Sequence, residues 1–158
     1  NLSFYLLSSD PKLSLSFSRI AAQLKRDDWQ ALGNIAEACR VLGQTPKGDD
    51  YLHEGIQAVE KALKLRPDDI KLKVTYGGLM LEGNDLNKLI PYARDLINNH
   101  GGDVIPVRFL LIRTLIATGQ HSFAREWLEP MRDHPDLHPY IFIAEREMEM
   151  YQGPLVDD

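Results

Sequence analysis

The chain has 158 residues, 44% apolar and 26% charged, with a formal net charge of −5. This is too apolar for a disordered chain and long enough for one domain, residues 1–158, with a sizeable core. An acidic chain with scattered bases argues against duplex nucleic-acid binding, which needs clustered Lys and Arg.

Cys39 is the single cysteine, so no internal disulfide can form, and the lean is towards a soluble, cytoplasmic setting. No apolar run reaches the roughly 18 residues of a membrane span; the longest candidate, Phe109 to Ala117, carries Arg113. The first residue is Asn1, which reads as a processed or trimmed chain or a piece of a larger protein.

Apolar periodicity predicts eight helices and almost no strand. Asp10 caps the first, Pro11 to Lys25, whose stripe is Leu13, Phe17, Ile20 and Leu24. The second, Asp28 to Leu42, turns Leu32, Ile35, Cys39 and Leu42 inward and stops at Gly43. A polar loop leads to Asp50, which caps a third helix ending near Leu65, before Pro67. Asp69 caps the fourth, to Glu82, and Asp85 the fifth, to Asn99; Gly83-Asn84 and Gly101-Gly102 are the stops. Asp103 caps the sixth, to Gly119; the seventh covers Ser122 to Asp133 and the eighth starts near His138.

These helices pair, and the pairs recur. Pro67 to Gly101 is 34 residues, and Gly101 to Pro135 is another 34. Large and small apolar residues alternate as closely crossing helices require: Leu32, Ile35-Ala36 and Cys39, then Gly55-Ile56, Val59, Ala62-Leu63, Leu65 and Pro67. A second set is Ala124, Leu128, Met131 and Pro135; the middle pair keeps the length but carries a degraded pattern, with Tyr76-Gly77, Leu89, Ala93 and Leu96.

Over about residues 28 to 151 this pattern resembles the tetratricopeptide repeat (TPR) family. The resemblance implies an all-α superhelix of αα-hairpins, a solenoid of roughly three repeats plus a capping helix. Residues 10–26 would be an incomplete leading repeat, followed by repeats at 28–67, 69–102 and 103–135 and a cap at 138–151. Three departures stand out. The turn from Gly43 to Leu52 is about seven residues too long, and Pro91 and Pro130 lie inside second helices, where they should kink or shorten them. A TPR domain of cytochrome-maturation factors is also similar in having a lengthened turn, but its diagnostic motif is missing here.

Residues that suggest chemistry have simpler readings. His134 and His138 flank Pro135 in a polar turn, and His121 is about 20 Å away along one helix, so no metal site is expected. Cys39 sits on an apolar stripe and reads as a packing thiol. Asp27-Asp28, Asp49-Asp50 and Asp68-Asp69 each precede a helix, where capping explains them. No phosphate loop, cofactor motif or catalytic constellation is found, and the chain is not read as an enzyme.

The TPR resemblance implies a scaffold that holds a peptide or helix of a partner protein in a concave groove, within a larger protein or assembly. By alignment its groove residues are Gln30, Asn34, Glu37 and Arg40, then Lys71, Thr75 and Gly78, then Arg108 and Arg113. The basic members suit an acidic group, although Gly33, Glu37 and Thr75 replace the residues that clamp a chaperone's terminal carboxylate. The last helix offers Ile141, Phe142, Met148 and Tyr151, and the N-terminus offers Leu2 to Leu7, as surfaces for a second copy. The alternatives are a helical-repeat domain of an enzyme or of a cytochrome-maturation or secretion apparatus, or an RNA-binding helical repeat, which would need a continuous basic stripe.

Overall fold

A computed structural model describes residues 9–151 of the chain. Within them lie eight α-helices: α1 (Pro11–Leu24), α2 (Trp29–Leu42), α3 (Asp49–Leu65), α4 (Ile70–Glu82), α5 (Leu86–His100), α6 (Ile105–Ala117), α7 (His121–Leu128) and α8 (His138–Met150). Among the described residues there is no strand. The strip Leu2 to Leu7 lies outside them. The chain divides into two compact units, one through Asp85 and one from Leu86.

In the first unit α2 is the central helix and packs on α1, α3 and α4. Its buried residues, including Leu32, Ile35, Ala36, Cys39 and Leu42, meet Leu52, Val59, Ala62, Leu72 and Leu79. Close approach depends on Gly55 of α3: a Cβ there would lie 2.9 Å from Cys39 Cβ and 2.8 Å from Leu79 Cδ2. Asp28 caps α2 by accepting from the amides of Gln30 and Ala31, and Asp69 caps α4 by accepting from that of Leu72. The α3 start differs from expectation. Asp49 and Asp50 sit in its first turn, where they complement the helix dipole, and Gly48 occupies the cap without a side-chain bond.

In helix α1 the apolar stripe is not the packed face. Leu13, Phe17, Ile20 and Leu24 face outward, 41–84% exposed. The face buried against α2 is Ser14, Leu15 and Ser18. The helical period is as expected, but the small residues set the contact because they let two helix backbones come close. Among the described residues the greasier face is left exposed.

In the second unit α6 is central and packs on α5, α7 and α8. Ile112 and Ile116 join Ala124, Leu128, Met131, Ile141, Ala144 and Met148 in its core. Pro130 acts as its ring demands: α7 ends at Leu128 and the chain tightens into a 3-10 turn over Glu129–Met131. Pro91 does not end α5, which continues to His100. Val104, not Asp103, stands at the α6 cap. Gly101 and Gly119 terminate α5 and α6 with φ of +80° and +76°, a backbone region that favours glycine.

Candidate partner-binding groove

Residues of α2 one helical turn apart share a face, so Gln30, Gly33 and Asn34 line up along it. Because α2 packs on α4, this face stands beside Lys71, Leu72 and Thr75. Together with Trp29 and Asp69 they enclose a cleft of about 250 Å³. Four of the sequence-expected residues, Gln30, Asn34, Lys71 and Thr75, therefore come together.

The chemistry of the cleft is amphipathic. Trp29 gives it an apolar wall above the buried Leu72. Arg66 lies over the Trp29 ring, 5.0 Å from its centroid, and fixes the indole at one end. Among the described residues the amides of Gln30 and Asn34 have no side-chain hydrogen-bond partner. Each offers a donor and an acceptor, which matches the needs of a peptide backbone. Gly33 keeps the floor open: a Cβ there would meet Leu72 Cδ2 at 2.9 Å.

Further along, the expected groove is filled by its own side chains. Arg40 lies across Gly78, where a Cβ would come within 2.7 Å of its Cδ. Its guanidinium donates to Glu37 at 2.7 Å and lies 3.5 Å from Glu82. Burial favours losing the proton, but the two carboxylates outweigh it and raise the Arg40 pKa above its ordinary value. Thr75 is buried and its hydroxyl donates to Glu37 at 3.3 Å. Glu37, Arg40, Thr75 and Gly78 thus form a lock between α2 and α4, not an open face for an acidic ligand. Sequence reading missed Glu82, which lies 42 residues from Arg40 and on another helix.

The expected residues of the second unit are similarly engaged. Arg113 of α6 pairs with Glu147 of α8 at 2.8 Å. Arg108 stacks on Trp127, its guanidinium carbon 4.9 Å from the ring centre. Ile141 and Met148 are core residues, which corrects their assignment to an oligomer surface; close packing of α8 on α6 takes them inward. Phe142 and Tyr151 remain exposed, joined by Ile143 and Met150, and the Tyr151 ring meets that of His121 edge-on.

Elsewhere, His138 Nε2 sits 3.2 Å from the Arg132 carbonyl, and among the described residues no three His, Cys, Asp or Glu gather as a metal site would require. Cys39 is fully buried; loss of solvation, with Glu54 nearby, pushes its thiol pKa up to about 12. Among the described residues no helix is long and apolar enough to cross a membrane.

Compared with known proteins, the chain matches no family model, no curated protein and no solved structure.

Proposed function

We propose that this chain is a protein-binding scaffold of stacked helix pairs, similar to tetratricopeptide repeats, whose α2–α4 cleft takes a peptide segment of a partner. The cleft carries the reading: the unpartnered side-chain amides of Gln30 and Asn34 and the Trp29 ring give backbone hydrogen bonding and an apolar anchor in one place. The packing pattern supports the stacked arrangement. In the first unit α2 packs on both α3 and α4, and in the second α6 packs on both α7 and α8, so in each a helix touches the next helix and the one after it, as stacked helix pairs would. Such modules commonly serve inside a larger protein or assembly, and the exposed Phe142 and Met150 suit a further contact there or with a second copy.

The test is selection of binders from a random peptide display library on the immobilised chain. Peptides that depend on the cleft lose affinity when Asn34→Leu and Gln30→Leu are combined. Selected peptides that bind this variant as well as the parent would place the binding surface elsewhere.

A further inference from the structure

The first unit carries a second cleft, on the other side of α2. Leu32 and Ile35 form its floor and lie roughly 150° around the helix from Gln30 and Asn34, at 3.6 residues per turn. Its walls are α1 and α3, and it encloses about 590 Å³, within the usual range of ligand sites.

Its charge is opposite to that of the chain. Arg19 and Arg26 come from α1 and the turn after it, and Lys61 from α3; Glu54 is the one carboxylate among the lining residues. Glu54 is already consumed. Arg19 donates to both of its oxygens, Nε at 2.8 Å, in a fork that ties α1 to α3. Among the described residues neither Arg26 nor Lys61 makes an ion pair. A chain of net charge −5 therefore presents two uncompensated cations on opposite walls of an apolar-floored cleft.

We infer that this cleft binds an acidic segment of a partner protein, with carboxylates on Arg26 and Lys61 and its backbone spanning the space between them. Charge complementarity selects the sign of the ligand. Two cations on opposite walls of a cleft this size suit a chain carrying several carboxylates better than a single small anion. The Arg19–Glu54 fork bridges the two walls and leaves Arg26 and Lys61 as the open charges. This site is independent of the α2–α4 cleft.

The probe is a synthetic ten-residue peptide of alternating Glu and Leu, compared with Lys/Leu and Gln/Leu counterparts by fluorescence anisotropy. The Glu/Leu peptide is expected to bind at least about tenfold tighter than either counterpart, and to weaken as salt rises. Arg26→Glu with Lys61→Glu should cost about tenfold or more while the helical circular dichroism is unchanged; the charge-conserving exchanges Arg26→Lys and Lys61→Arg should retain binding. Lys71→Glu, in the other cleft, should leave affinity within about twofold. Equal binding of the acidic and basic peptides, or no effect of the double charge reversal, would overturn the assignment. Loss of binding on Lys71→Glu would move the peptide to the α2–α4 cleft, removing this inference and not the proposed function. Full competition by inorganic pyrophosphate at equal affinity would replace the peptide by a small anion and equally defeat it.

Discussion

Arg113 and Glu147 are 34 residues apart in sequence and 2.8 Å apart in space, on α6 and α8. That separation equals the spacing from Pro67 to Gly101 and from Gly101 to Pro135. Arg40 and Glu82 make the corresponding contact in the first unit, from α2 to α4, across 42 residues. The difference is close to the extra length of the turn between Gly43 and Leu52. Each pair joins a helix to the second helix after it.

Breaking the Arg113–Glu147 pair gives a measurable coupling. Both side chains are less than one-third exposed, so a double-mutant cycle with Arg113→Met and Glu147→Gln should return about 0.5–1 kcal/mol by urea unfolding. Added salt should reduce it. A coupling of zero at low salt would mean that the contact does not contribute to holding α6 on α8.

Helix α1 supplies a sharper contrast. Leu15→Ala removes a buried side chain and should cost about 2–4 kcal/mol. Phe17→Ser and Leu24→Ser lie on the outward face and should each change stability by no more than about 0.5 kcal/mol. The reverse ranking would show that α1 is docked by its apolar stripe after all.

Gly55 stands where α2, α3 and α4 converge. Alanine is a better helix former by about 1 kcal/mol, yet its Cβ would press on Cys39 and Leu79, at a cost of about 1–3 kcal/mol. Gly55→Ala should therefore lower the melting temperature by roughly 5 °C. A rise would show that the three helices have room to spare.

The Cys39 thiol sets a pH dependence. Its folded pKa of about 12 lies above the unfolded value near 9.0, so folding keeps the proton on. The stability this contributes is complete below pH 9 and is lost as pH rises through 9 to 12, where the unfolded chain ionises first. Cys39→Ala should flatten that alkaline slope. In the native protein at about pH 8, iodoacetamide should leave the buried thiol unmodified over times that fully modify it in urea.

The helices were legible in the sequence because Gly43, Gly83, Gly101 and Pro67 punctuate them and Asp28 and Asp69 announce their starts. The end of α7 was foreshadowed by Pro130. The orientation of α1 was not legible: Leu13, Phe17, Ile20 and Leu24 outrank Ser14, Leu15 and Ser18 in hydrophobicity, and only the proximity of α2 reveals that small residues make the contact. At the candidate site, Gln30, Asn34, Lys71 and Thr75 could be grouped through the resemblance to tetratricopeptide repeats. The locking of Arg40 by Glu37 and Glu82 could not, because a charge on a helix face looks the same whether it awaits a ligand or already holds a neighbour.

The most direct measurement is the affinity of display-selected peptides for the parent chain and for the Gln30→Leu/Asn34→Leu variant, with folding monitored by circular dichroism. An amide-lined α2–α4 cleft that holds a partner's backbone requires at least about a tenfold loss in the variant, with unchanged helicity. Equal affinity for the two, or failure of the parent chain to enrich any peptide, would contradict it.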